Sequence, residues 1–210
     1  MTKLVLASTS PARLRLLTDA GIDPVVISPG VDEEQLTEMA MAAGQIGNTA
    51  DLVLLLAKAK AEAVVSNPLA QDALIIGCDS ALDLDGESLG KPHEPEVAIE
   101  RWKTMRGRSG RLYTGHWLID NRINQPMPPA NGKATNTVVH FANITDSEIL
   151  AYVGTGEPLK VAGAFTIDGL GGAFLKGIEG DAHTVVGLSL PALRELTISL
   201  GVDYPSLWRS

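Results

Sequence analysis

Ser8, Ser10 and Arg13, in the stretch LVLASTSPARLRLL from Leu4 to Leu17, are side chains of the types that hold an anion. Hydroxyls and a guanidinium grip phosphate oxygens best where backbone amides point the same way, at the first turn of a helix. The surrounding residues predict that setting: a buried strand from Lys3 to Ala7, a hydroxyl-rich turn over Ser8, Thr9 and Ser10, and a helix beginning at Pro11. Ser10 suits the N-cap and Pro11 the first helical position, where a missing N–H loses no intrahelical partner. The same pattern also describes an ordinary capped helix with a solvated arginine, and this stretch alone does not separate the two.

The carboxylates that could act beside such a site fall in two places. Asp79 follows the apolar run DALIIGC (Asp72 to Cys78), read as a central buried strand, and so stands at the carboxyl end where open α/β sheets place their chemistry. Asp32, Glu33 and Glu34 follow a short second strand (Asp23 to Ile27), either as a metal site or as the acidic first turn of the next helix. Lys58 and Lys60 lie on a helix predicted from Asp51 to Val65, with Leu52, Leu55, Leu56, Ala59 and Ala63 as its buried stripe. Helical spacing cannot pick out either lysine as functional, since a lysine beside a buried face is ordinarily a solvated snorkel.

These residues are carried by an alternation of strands and helices along 210 residues, enough to bury a core. A hairpin is expected from Ala81 to Gly90 with Asp85-Gly86 at its turn, a helix from Pro95 to Met105, strands over Arg111 to Asp120 and Ala134 to Ala142, and a loop over residues 124–133. A helix from Asp146 to Val153, a glycine-rich segment from Gly154 to Gly187 and a closing helix from Leu188 to Leu200 follow. The net charge of −8 argues against a nucleic-acid polymer as partner, although a few cations in one cleft still suit a small polyanion. Neither a membrane span nor an export signal is apparent, and the single Cys78 suits the reducing cytoplasm. The sequence has no Walker A or GxGxxG phosphate loop, no HExxH or CxxC zinc pattern and no GxSxG nucleophile motif.

The blocks LASTSPAR, VDE, LAKAKA, GCDS, LGKP, GRLYTGH and VAGAFTIDGLGGAFLKGIEG, in that order from Lys3 to Leu196, resemble the Maf family of nucleoside triphosphate pyrophosphatases. The resemblance implies an ITPase-like α/β fold over residues 1–210: an elongated mixed sheet flanked by helices, with two lobes and a central cleft, commonly in a homodimer. It implies hydrolysis of a nucleoside triphosphate between the α and β phosphates with a divalent cation, Mg²⁺ or Mn²⁺. It assigns Asp79 as catalytic acid/base, Glu33 as a metal-site acid with Asp79 beside it, and Ser8, Arg13, Lys58 and Lys91 as phosphate contacts, with the Ser10 hydroxyl at the same anion site. A carboxylate to orient water and three cations to neutralise a triphosphate are what in-line attack requires.

Three positions depart from the usual family pattern. Ala12 stands where a first arginine is common, Ser80 where threonine is common, and Asp168 where one branch has glutamine and another glutamate. Ser80 and Asp168 are therefore the candidates for base specificity, and an ionised carboxylate, which only accepts hydrogen bonds, does not transfer the preference of an amide. The alternative expectation is a nucleotide sensor or cell-division inhibitor with little catalysis; retention of Glu33, Asp79 and the cationic positions favours the enzyme.

Overall fold

A computed structural model describes residues 1–122 and 127–209. Its centre is a seven-stranded mixed sheet with spatial order β2-β1-β3-β5-β6-β7, β4 pairing with β3. The strands are β1 (Leu4–Ala7), β2 (Val25–Ile27), β3 (Leu74–Leu84), β4 (Glu87–Leu89), β5 (Ser109–Asp120), β6 (Ala130–Phe141) and β7 (Leu175–Glu179). β1 runs parallel to both β2 and β3, and the remaining pairs are antiparallel. The helices are α1 (Pro11–Asp19), α2 (Glu33–Ala42), α3 (Thr49–Glu62), α4 (Pro95–Met105), α5 (Asp146–Gly154), α6 (Ala182–Val186) and α7 (Leu190–Ser199).

Local signals set most helix starts. The side chains of Ser10, Asp32, Asn48 and Ser189 each accept a first-turn backbone N–H, and Thr145 with Glu148 forms a reciprocal capping box. Asp32 thus decides the reading of the acidic run as the opening of a helix, with Glu33 its first residue. In the hairpin turn Asp85 and Gly86 both have positive φ, 56° and 88°, as the tight turn between β3 and β4 demands.

Two sequence expectations are corrected. β3 does not stop at Cys78 but runs unbroken from Leu74 to Leu84, so Asp79 lies inside a long strand. What ends near Asp79 is the parallel pairing: β1 follows β3 only to Ala7↔Gly77, and on that same edge β4 begins only at Leu82↔Leu89. From Cys78 to Ala81 no strand among the described residues lies beside this edge of β3, while β5 continues along the other edge. The second correction concerns the expected loop over residues 124–133. Residues 124–126 lie outside the described residues, and β6 has already begun at Ala130, paired with Ile119.

The buried stripe of α3 also differs from the expected one. Val53, Leu56, Ala57, Lys60 and Ala61 face the sheet, whereas Leu52, Leu55 and Ala59 are only half-buried and Ala63 is exposed. The reason is close approach. A Cβ on Gly77 would lie 2.2 Å from the Ala57 carbonyl oxygen, and one on Gly115 would lie 2.2 Å from that of Val53. Small residues on both surfaces outweigh the larger leucines, because they let the helix backbone settle onto the sheet. Asp79 is two residues beyond Gly77 and directly opposite Gly115, hence on the face that α3 covers.

Packing on the two faces and ends of the sheet is apolar. Leu6, Leu74, Ile76 and Cys78 pack with Leu193 and Leu196 of α7; burial pushes the Cys78 thiol up to about 11, as befits a packing residue. Val5, Ile75 and Ile119 pack with Ala61 and Val64. At the far end Trp102 of α4 meets Phe141, Tyr152 and Phe174 edge to face at 5.5–5.9 Å. His116 of β5 is fully buried, its Nδ1–H donating to the Lys133 carbonyl at 3.1 Å and its Nε2 accepting the Ser189 N–H at 2.8 Å, which ties the start of α7 to the sheet. An Nε2 that accepts is unprotonated, so the ring is neutral.

Two outcomes follow from this packing. Gly77→Ala is expected to destabilise the protein by about 2–3 kcal/mol, a fall in Tm of roughly 5–10 °C by calorimetry, because the backbone of α3 must move. Burial pushes the pKa of His116 from 6.5 down to about 4. Between those values the unfolded chain binds a proton that the folded chain refuses, so stability declines as pH falls through that window, by up to roughly 3 kcal/mol from this ring. An NMR titration of the His116 ring with a midpoint near 4 is the direct check.

Candidate active site

A cleft of about 890 Å³ opens where β1 ends and the edge of β3 is bare; its walls include Ser8, Ser10, Arg13, Glu33, Lys60, Asp79, Ser80 and Lys91. Arg13, on the first turn of α1, fills part of the gap in the sheet. Its Nη1 donates to the Cys78 carbonyl at 2.9 Å and to Ser8 Oγ at 3.2 Å, its Nε to the Gly187 carbonyl at 2.6 Å, and its Nη2 to Ser80 Oγ at 3.1 Å. A guanidinium has five N–H donors, so one on Nη2 has no partner among the described residues. The side chain that spacing marked as an anion ligand is thus mainly a fixture, with one donor left for a ligand. Gly187, at φ +112°, is required there, since a Cβ would sit 3.1 Å from Arg13 Nε.

Lys60 is the other fixed cation. Its side chain is 6% exposed, and Nζ lies 2.6 Å from Asp79 Oδ1 and 2.8 Å from Glu33 Oε1. The two carboxylates therefore converge on one point, one from β3 and one from the first residue of α2. Their environments push them apart. Burial raises the pKa of Asp79, and the opposing charges of Lys60 and Arg13 do not cancel it. Burial also acts to raise Glu33, but there Lys60, Lys91 and Arg13 outweigh it and the net shift is downward. A pair so split leaves Asp79 the stronger base of the two and Glu33 the weaker.

Lys58 does not reach this cleft. Its amine stands 5.2 Å over the Trp117 ring and 3.8 Å from Glu62, and the side chain is 47% exposed. Rotation of α3 by the Gly77 and Gly115 contacts turns Lys60 inward instead. Nothing in the LAKAKA spacing distinguishes the two lysines; the signal that could have done so is the pair of alanines, Ala57 and Ala61, marking the close-packed face.

Ser8, Ser10 and Lys91 all line the cleft, with Ser8 Oγ also accepting the Ser10 N–H at 3.2 Å and Ser10 Oγ capping α1 by accepting the Arg13 N–H at 3.4 Å. Asp168, at the opposite wall, forms an ion pair with Arg15, which the sequence reading did not single out. Lys160 and His93 add positive or titratable groups to the same walls. Glu157, also missed, accepts hydrogen bonds from the Tyr152 hydroxyl at 2.9 Å and from the backbone N–H groups of Gly171 at 2.9 Å and Leu170 at 3.0 Å, which fastens the glycine-rich segment beside Asp168. Burial, reinforced by Glu157, raises the Tyr152 phenol well above its ordinary value, so it remains a donor.

Comparison with known proteins places this cleft in a family. The family model described as Maf-like protein matches residues 3–200. A relative from Streptomyces avermitilis named nucleoside triphosphate pyrophosphatase is 51% identical over 206 residues, covering 98% of this chain and 94% of its own length. Relatives of the same name from Mycobacterium marinum, 45% identical over 216 residues, and Gloeothece citriformis, 47% identical over 205 residues, match 100% and 98% of this chain and 98% and 97% of their own. Among solved structures the Staphylococcus aureus Ham1 protein shows a slight likeness, with a TM-score of 0.38 and 15% identity over 68% of this chain and 73% of that one. With a family model matched along almost its whole length and relatives near half identity, the chain belongs to the Maf-like protein family.

Proposed function

We propose that this protein hydrolyses nucleoside triphosphates to nucleoside monophosphate and pyrophosphate, and so limits modified or surplus nucleotides in the cytoplasmic pool. The observation that carries the reading is the Glu33–Lys60–Asp79 cluster at the floor of a cleft rimmed by Arg13 and Lys91. The names of the relatives agree with it. A triphosphate carries about four negative charges, and its chemistry depends on neutralising and aligning them. Arg13, through its one free Nη2–H, Lys91 and Lys60 supply the cations; Ser8 and Ser10 stand at the start of α1, where backbone amides also favour phosphate.

Asp79, with its raised pKa, takes a proton from a water poised at the α phosphorus. Oxygen from that water bonds to phosphorus, the bond to the α,β-bridging oxygen breaks, and the bridging oxygen leaves with pyrophosphate. Lys60 holds Asp79 in place and turns a positive charge toward the cleft.

Glu33 and Asp79 also suit a hard divalent cation, Mg²⁺ or Mn²⁺, which takes oxygen donors and characteristically uses one or two carboxylates plus substrate phosphates. Among the described residues no group of three His, Cys, Asp or Glu side chains converges, so the protein would supply those two ligands and the substrate and water the rest. Such an ion contributes charge neutralisation on the phosphates. The reading further takes the protein to act as a homodimer. Among the described residues no helix is long and apolar enough to cross a membrane.

The test is pyrophosphate release from a panel of ordinary and modified nucleoside triphosphates with Mg²⁺ or Mn²⁺. Asp79→Asn is expected to lower kcat at least about 100-fold with the fold retained, and full turnover in that variant would overturn the assignment. Lys60→Met is expected to lose activity on a similar scale, whereas Lys58→Ala stays within about twofold of the parent. Because the active form of Asp79 is ionised and burial raises its pKa above 3.8, the acid limb of the kcat profile is expected to lie above the ordinary aspartate range.

A further inference from the structure

The hydroxyls behind Arg13 form a chain whose direction is fixed by counting protons. Thr114 of β5 is fully buried, and its one hydroxyl proton goes to the Thr184 carbonyl at 2.8 Å. Toward Ser80, 2.9 Å away, Thr114 Oγ1 is therefore an acceptor. The Ser80 proton points to Thr114, and the Ser80 oxygen is left to accept the Arg13 Nη2–H at 3.1 Å. The far end is anchored as well: Asp181 caps α6 and accepts both the backbone N–H of Thr184, at 3.1 Å, and its hydroxyl, at 3.0 Å.

We infer that Thr114 is a positioning residue for the reaction: through Ser80 it holds the Nη2 end of the Arg13 guanidinium, whose remaining N–H, unpartnered among the described residues, is left for the phosphates. Thr114 itself touches no substrate, being fully buried on β5 directly opposite Ser80. Two consequences distinguish it from a mere packing residue. Without an acceptor at position 114, the Ser80 hydroxyl turns its proton elsewhere and its oxygen no longer faces Arg13 reliably. Ser80 in the intact chain has no proton to offer a nucleobase; it can only accept from one. A hydrogen bond between a charged donor and a neutral hydroxyl is worth enough that its loss is visible in a rate, yet small enough to leave the fold in place.

The inference rests on the proposed phosphate chemistry, so its test has one arm that depends on turnover and one that does not. Thr114→Val is expected to lower kcat/KM about tenfold, and Thr114→Ser, which keeps the hydroxyl, to stay within about twofold to threefold. In a Ser80→Ala background, where the chain is already cut, Thr114→Val is expected to cost nothing further. An equal loss in both backgrounds would mean that Thr114 acts through packing, and overturns the inference.

Independently, side-chain NMR of Arg13 reads the guanidinium itself. The Arg13 Nη2 resonance is expected to keep its position in Thr114→Ser and to shift in Thr114→Val, while Gly187, Cys78 and Ser8 still hold the rest of the guanidinium. An Nη2 resonance unmoved in Thr114→Val overturns the inference whether or not the enzyme turns over; absence of turnover in the parent overturns the proposed function alone. Thermal melts of each variant, with assays run well below the midpoint, keep folding separate, and Thr114→Ala carries the same measurements should Thr114→Val not fold.

Discussion

The seat of α3 on the sheet is the constraint from which the rest of this site follows. Gly77 and Gly115 remove the two Cβ atoms that would hold the helix off, the first lying against Ala57 and Ala61 and the second against the backbone of Val53 and Leu54. With its backbone that close, α3 brings Lys60 down over the floor of the cleft, where its amine meets Asp79 from the sheet and Glu33 from α2. A buried lysine without these partners would be strongly destabilising, since desolvating one charge costs several kcal/mol. With them it becomes the link that draws the start of α2 onto the sheet. Packing and the charge cluster thus share the same few atoms: a shift of the helix by a methyl group moves the charge that holds Asp79.

The second organising feature is the bare edge of β3. β1 leaves after Ala7 and β4 arrives at Leu82, so the backbone between them needs other partners. Arg13 supplies one, donating to the Cys78 carbonyl, and in doing so is tied to Ser8, Ser80 and Gly187 as well. A single guanidinium therefore closes a gap in the sheet and presents a residual donor to the cleft. This arrangement joins four segments distant in sequence: the end of β1, the middle of β3, the hydroxyls of β5 behind it and the end of α6. It also explains why Ala12 does not empty the site of positive charge: Arg13, Lys60 and Lys91 meet there from three other directions.

The electrostatic character of the cleft comes from uneven burial. Glu33 and Asp79 share one lysine, yet Asp79 is the more deeply buried and is raised while Glu33 is lowered. Like groups with one common partner acquire different basicity because solvent reaches them differently. Across the cleft, Glu157 and Asp168 serve another purpose: the first fastens the glycine-rich turns, and the second pairs with Arg15. An overall net charge of −8 is consequently compatible with a polyanionic substrate, because several cations are gathered along one cleft.

What the sequence by itself determined here is local. Ser10-Pro11, Asp32, Asn48, the Thr145 to Glu148 box and Asp85-Gly86 write their caps and turn in a few adjacent residues, and the ordered motif blocks from LASTSPAR to the glycine-rich segment point to the family and to Asp79, Glu33, Arg13 and Lys91. What only the tertiary structure decided depends on contacts between distant segments. Whether Lys58 or Lys60 turns inward is a rotation of about 100° per residue about a helix whose leucines and alanines offer two plausible faces. The choice falls to glycines more than fifteen residues away, on two strands, β3 and β5. That β3 continues past Asp79 depends on Arg13 and β5 supporting its edges, and that Arg13 keeps one unpartnered donor among the described residues depends on Gly187, Cys78, Ser8 and Ser80. Residue types fix which chemistry is available; the partners that use up each donor and acceptor are chosen only when the chain is folded.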